Sequence, residues 1–292
     1  MPHVDTPLLR VAYEDHQPDA QRTVILLHGW PDGPRTWRGV VPHLLRAGYR
    51  VIVPALRGFS PTRFLSPETP RTGQLVALGR DLLDFIAALG VQQPVVVGHD
   101  WGARAVATAV GLSPDAVSHM VMLSTGYGTT DPSQALNMTQ ARLYWYHWFM
   151  ATPRGQAMVA ADRRAFAREM WLTWAPEGWF DEDEFTATAA AWDNDDWLPI
   201  TLHSYQHRWG HAPGDPAYVP DEARLQPTPQ VHVPSLVLHG DADGVSTLAT
   251  SAGREVFFTG RYERHILSGV GHFPQREAPE VVAQAVLRFI QA

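Results

Sequence analysis

The stretch Val95-Val96-Val97-Gly98-His99-Asp100-Trp101-Gly102-Ala103 decides how the rest of the chain reads. A β-branched apolar run stops at a glycine, a carboxylate follows two residues later, and a second glycine opens an Ala-rich segment of helical character, Arg104 to Gly111. This pattern predicts a buried strand, a sharp turn and a helix. Gly-x-Asp-x-Gly is the spacing of a nucleophile elbow with aspartate where serine is usual. The turn residue is expected at positive φ, so its neighbours must lack side chains where strand and helix converge. A carboxylate there is already ionised at neutral pH. It can displace a leaving group at sp³ carbon and form an ester, which water then hydrolyses. The same five residues also fit an ordinary βα turn with an N-cap aspartate.

Composition narrows the field. The chain has 292 residues, 45% hydrophobic and 18% charged, which predicts a soluble globular protein with a sizeable core. A formal charge of −7 argues against nucleic-acid or anionic-membrane partners. The chain has no cysteine, which excludes disulfides and thiolate metal sites, and all 23 Lys/Arg residues are arginine. No signal-like start or long uncharged apolar run occurs, so a cytoplasmic location is the expectation.

Around the elbow the chain alternates. Leu8 to Tyr13, Thr23 to Leu27, Arg50 to Val53 and Val117 to Leu123 read as strands, and Thr36 to Ala47 and Gln74 to Leu89 as helices. That alternation predicts a mostly parallel α/β sheet flanked by helices. The rhythm breaks from about residue 131 to 230, where no strand is expected. Eight of the 11 tryptophans fall there, and the segment reads as a helical insertion. Strand, helix, strand and helix return at Ser235–His239, Leu248–Phe258, Tyr262–Leu267 and Pro279–Ile290. The expected units are residues 1–130 with 231–292 as the α/β core, and 131–230 as the insertion.

Two further strand ends carry chemistry. Ser235–His239 runs into Gly240-Asp241-Ala242-Asp243, and the next strand runs into Gly269-Val270-Gly271-His272. Open α/β sheets bring such ends to one edge. The order Asp100, Asp243, His272 is nucleophile, acid, histidine. Asp241 competes with Asp243, with turn capping as its alternative role.

Together with His28-Gly29-Trp30-Pro31, these motifs resemble the α/β-hydrolase superfamily, and the aspartate elbow is similar to that of epoxide hydrolases and haloalkane dehalogenases. The resemblance implies that the insertion is a cap. It implies an oxyanion hole from the backbone N–H groups of Trp30 and Trp101. It also implies two cap tyrosines that assist epoxide opening. Trp145-Tyr146-His147-Trp148-Phe149 resembles the first tyrosine site and His203-Ser204-Tyr205 the second, with Tyr144 competing with Tyr146. The implied activity is epoxide hydrolysis to a vicinal diol, with water as co-substrate, no cofactor and no metal. The cap tryptophans suit an apolar or aromatic epoxide. A haloalkane dehalogenase using the same triad is the rival, because Trp101 follows the nucleophile as a halide donor would. A ligand-binding relative without turnover is a third reading, weakened by the filled triad. A homodimer is left open. His203, His207 and His211 fall four apart but lack a convincing carboxylate, so a solvated helix face is expected rather than a metal site. The acidic runs Asp181–Glu184 and Asp193–Asp196 read as solvated faces or helix starts.

Overall fold

The computed structural model describes residues 1–129 and 136–292. Among these residues nine strands form one sheet: β1 His3–Asp5, β2 Leu9–His16, β3 Thr23–Leu27, β4 Arg50–Pro54, β5 Arg63–Phe64, β6 Val95–His99, β7 His119–Leu123, β8 Ser235–Gly240 and β9 Tyr262–Leu267. Their order is β1-β2-β4-β3-β6-β7-β8-β9, with β5 paired to β2. From β4 to β9 every neighbour is parallel, while β2 runs antiparallel to β1, β4 and β5.

The unbroken apolar runs follow from burial on both faces. In β3, Val24 and Leu26 point into one core while Ile25 and Leu27 point into the other. β6 repeats this with Val95 and Val97 against Val96, and β8 with Leu236 and Leu238 against Val237. Helices α1 (Val41–Arg46) and, at the far end of the chain, Pro279–Gln291 cover the first face. α2 (Leu75–Leu89) and α3 (Trp101–Leu112) cover the other.

Between β7 and β8 the described residues hold seven α-helices: α4 Met138–Leu143, α5 Trp145–Met150, α6 Pro153–Ala161, α7 Arg163–Trp174, α8 Glu182–Ala189, α9 Trp197–Arg208 and α10 Val219–Arg224. The expected start of the insertion, at residue 131, lies outside the described residues. After β9 come α11 (Pro274–Glu277) and α12 (Pro279–Gln291). No helix among the described residues is long and apolar enough to cross a membrane.

Two expectations change. The Leu248–Phe258 helix is instead two 3₁₀ turns, Leu248–Thr250 and Glu255–Phe257. Gly253, at φ 68°, turns the chain out of the right-handed helical region between them, although Ala252 N–H still reaches Leu248 O at 3.2 Å. The Thr36–Ala47 helix is split into a 3₁₀ turn, Pro34–Trp37, and α1.

Candidate active site

Asp100 sits between β6 and α3 at φ 48° and ψ −108°. Close approach imposes the glycines around it. A Cβ on Gly98 would lie 2.3 Å from the Gly102 carbonyl carbon, and one on Gly102 would lie 2.4 Å from Leu27 O. The turn lifts the carboxylate off the C-terminal edge of the sheet, where the loop after β3 meets it. The backbone N–H of Trp30 donates to Asp100 Oδ1 at 2.9 Å. Trp101 opens α3, so its N–H has no acceptor within the helix. His28 shapes this loop: Nδ1 donates to Gly29 O at 3.0 Å and Nε2 accepts from Leu56 N–H at 3.1 Å.

The loops after β8 and β9 deliver the other two residues. His272 Nδ1 donates to Asp243 Oδ2 at 2.9 Å, and both side chains are buried. Asp243 Oδ1 accepts the N–H groups of Val245 (2.9 Å) and Ser246 (2.8 Å). Burial opposes the Asp243 charge, but His272 and His239 outweigh it and hold the carboxyl below its ordinary range. Burial likewise opposes protonation of His272. Asp243, through charge and hydrogen bond, prevails and raises the imidazole above 6.5. His272 Nε2 lies 4.0 Å from Asp100 Oδ2, beyond direct hydrogen bonding. Asp241, the competing acid, accepts the N–H of Gly269 at 2.7 Å and stays exposed.

Tyr146 on α5 and Tyr205 on α9 meet above Asp100, with ring centroids 5.3 Å apart and planes at 76°. Trp30 joins them: its indole stacks on Tyr146 (5.7 Å, 6°) and meets Tyr205 edge-on (5.1 Å, 70°). One residue thus gives a backbone donor to the carboxylate and a wall to the tyrosines. The Tyr205 hydroxyl oxygen accepts the Trp101 indole N–H at 3.2 Å. Burial, and the Asp100 charge nearby, push both phenols well above 10. Tyr144 is placed elsewhere, stacked on His147 at 4.4 Å.

The sequence matches the α/β-hydrolase fold family over residues 22–279. The chain belongs to the α/β-hydrolase family. This hydrolase is 36% identical to a candidate epoxide hydrolase of Klebsiella pneumoniae, whose crystal structure superposes with a TM-score of 0.94 over 100% of this chain and 97% of the other. It is 27% identical to epoxide hydrolase A of Mycobacterium tuberculosis over 98% of this chain and 96% of the relative. The structure of epoxide hydrolase A from Mycobacterium thermoresistibile, 23% identical, shares the fold with a TM-score of 0.78 over 100% of this chain and 98% of that one.

Sequence reading misses several residues that support the hydrolase site. Glu277 grips the histidine loop on both sides: its carboxylate accepts the N–H of Gly271 at 2.6 Å and of Phe273 at 2.8 Å. The carbonyl of His272 itself accepts from His99 Nε2 (2.7 Å) and from Ser124 Oγ (3.0 Å). No local pattern marks these partners, since His99 and Ser124 are distant in sequence. His203 accepts the Gly73 N–H at Nδ1 (3.1 Å) and donates to Pro213 O from Nε2 (3.0 Å). Among the described residues no group of three potential ligands converges on a point.

The insertion is fastened directly to the active-site loops. Trp171 and Trp192 donate their indole N–H groups to the carbonyls of Pro31 (3.1 Å) and Asp32 (3.2 Å). Asp181 caps α8 as a helix start, accepting the Glu184 N–H at 2.7 Å. Glu184 departs from the expected solvated face. It is buried and accepts from Arg35, Arg38 and Arg276, while Arg276 also pairs with buried Asp32 at 2.6 Å. Glu184→Gln keeps the shape and removes the charge, leaving Arg276 half-compensated. It is expected to lower stability by about 2–3 kcal/mol, less than a fully buried pair because Arg35 and Arg38 are partly hydrated. Urea denaturation of both proteins measures it.

Proposed function

We propose that this hydrolase converts epoxides to vicinal diols through an ester on Asp100. The observation that carries the reading is the Tyr205 hydroxyl, whose oxygen accepts the Trp101 indole N–H. A hydroxyl has one proton to give. With its oxygen engaged this way, the Tyr205 proton is available for a substrate oxygen, beside that of Tyr146. The names of the relatives point the same way.

In this reading Asp100 Oδ2, the oxygen not held by Trp30, attacks an epoxide carbon. The C–O bond breaks, its electron pair stays on oxygen, and a tyrosine O–H protonates that oxygen. His272 Nε2 then takes a proton from water as the water oxygen attacks Cγ of Asp100. Negative charge develops on Oδ1, where Trp30 and Trp101 N–H groups form the oxyanion hole. Collapse of that intermediate releases the diol and regenerates the carboxylate. Asp243 fixes the His272 tautomer and balances the imidazolium, whose proton returns to the tyrosinate. Residues 131–230 serve as the cap that carries both tyrosines across from the nucleophile.

The halide reading has less support. A halide site would need the indole N–H groups of Trp101 and Trp30, but these already donate to Tyr205 and, at 3.0 Å, to Thr201 Oγ1. The deciding experiment assays diol formation from styrene oxide beside halide release from 1-bromobutane. Diol without halide is the expected result; halide release without diol would install the rival.

The pH dependence follows from His272. The base must be neutral, and Asp243 raises its pKa above 6.5. Ester hydrolysis therefore slows as pH falls through that raised value. In Asp243→Asn the raising charge is gone and burial dominates, so the acid limb is expected to move to lower pH. The plateau falls by roughly 10²–10⁴-fold as the imidazole loses its partner. Single-turnover decay of the ester across pH measures both; an unmoved limb would remove Asp243 from this role.

A further inference from the structure

Beside the tyrosine pair lie three buried donors for which the proposed reaction has no use. Arg104, on α3, donates Nη1 to the Thr129 hydroxyl at 3.1 Å, but its Nε is buried without a partner. Arg208, at the end of α9, lies over the Tyr205 ring with Cζ 5.1 Å from the centroid, and its Nε and Nη2 are buried without partners. His147 accepts the Trp209 indole N–H at Nδ1 (3.1 Å), so its proton sits on Nε2, which is also buried and unpartnered.

The three are neighbours. Burial and then the charges of Arg208 and Arg104 keep His147 neutral, and burial and then Arg104 act against the charge of Arg208. A guanidinium cannot escape by losing its proton. Among the described residues neither arginine has an ion-pair partner, so two like charges share a poorly hydrated region; Glu222, which lines the groove beside Arg208, accepts from Gln74 Nε2 at 2.8 Å and faces His207 at 3.8 Å instead. Space is available. Arg104 lines a cavity of about 50 Å³, and Arg208 and Ser204 line a groove of about 510 Å³. The two share Thr108 and Leu225 as walls.

We infer that Arg104, Arg208 and His147 form a binding site for a carboxylate carried by the substrate. The preferred epoxides would then have an apolar body and an anionic end. Planar forked donors match a carboxylate, and the Tyr144, Tyr205 and Trp209 rings near His147 suit the apolar body. The reacting end of this ligand rests on the epoxide reading; the anion site does not.

The test is calorimetric titration of the full chain with 4-phenylbutyrate, 4-phenylbutyramide and acetate. Wild type, Arg104→Gln, Arg208→Gln and Arg208→Lys are compared, each with its thermal melt recorded. Phenylbutyrate is expected to bind at least about tenfold tighter than the amide and acetate, and about ten- to a hundredfold weaker to either Gln variant. Arg208→Lys falls between, which keeps the test valid if Arg104→Gln does not fold. Equal binding of acid and amide, no binding, or a preference unchanged in Arg208→Gln overturns the inference. Acetate binding as tightly as phenylbutyrate overturns it in favour of a free-anion site. Selective phenylbutyrate binding by a protein that opens no epoxide would sustain the anion site and sink the epoxide reading.

Discussion

His272→Gln is expected to accumulate an ester on Asp100. Mixed with excess styrene oxide, the variant gains the mass of one intact epoxide, because ring opening adds the whole molecule and expels nothing. In the proposed reaction, alkylation needs Asp100 and the tyrosine protons, none of which the substitution touches. Hydrolysis needs a base at the position of Nε2, which lies 4.0 Å from Asp100 Oδ2. Gln offers no basic nitrogen, so steady-state turnover falls by roughly 10²–10⁴-fold, the range of a lost general base. Mass spectrometry of the peptide that contains Asp100 reads the adduct directly. An unmodified peptide, with substrate binding retained, would reject both the nucleophile and the base assignments. The carbonyl of residue 272, which His99 and Ser124 hold, belongs to the backbone and is kept in the variant.

The tyrosine pair carries the second large effect, on the other half of the reaction. Tyr146→Phe and Tyr205→Phe each keep the ring that packs on Trp30 and remove only the hydroxyl. Each is expected to slow alkylation of Asp100 by roughly ten- to a thousandfold, the scale of losing one transition-state donor. The double variant is expected to be nearly inactive, because the departing oxygen then has no proton source. The two singles need not be equal. Tyr205 also accepts the Trp101 indole N–H, so its removal leaves that donor unpaired. Stopped-flow measurement of the tryptophan signal under single-turnover conditions gives the alkylation rate. Wild-type rates in all three variants would refute tyrosine-assisted opening. Ester hydrolysis is expected to be less affected than alkylation, and that separates these variants from His272→Gln.

Much of this could be read along the chain because the decisive signals are local. The apolar runs at Thr23–Leu27, Val95–Val97 and Ser235–Leu238 need cover on both faces, and with the alternating helices they predict a parallel sheet. Gly98 and Gly102 flank Asp100 because a side chain on Gly98 would meet the start of α3 and one on Gly102 the end of β3. Strand ends in such a sheet share one edge, so the order of Asp100, Asp243 and His272 was enough to expect them together. Tyr146 and Tyr205 came from resemblance rather than spacing, and Tyr144, at the junction of α4 and α5, stayed a competitor until the structure stacked it on His147 and Tyr146 on Trp30.

Where the reading failed, a distant partner decided the outcome. Leu248–Phe258 has helical composition, yet Gly253 sits at φ 68° and ends the first turn, and Arg264 from β9 holds that turn through Leu248 O. Glu184 sits in an acidic run that looks solvated, and three arginines from the core draw it inside. His147, Arg104 and Arg208 lie on three helices, and nothing in their sequence neighbourhoods marks them as one cluster. Periodicity and glycine placement reflect constraints within a single element or between adjacent ones, so the sequence by itself determined the sheet, the sharp turn at Asp100 and the order in which Asp100, Asp243 and His272 reach its edge. The charge balance of a buried site depends on which side chains the packed elements bring within a few ångström. For Glu184 and the arginine pair, only the tertiary structure decided that.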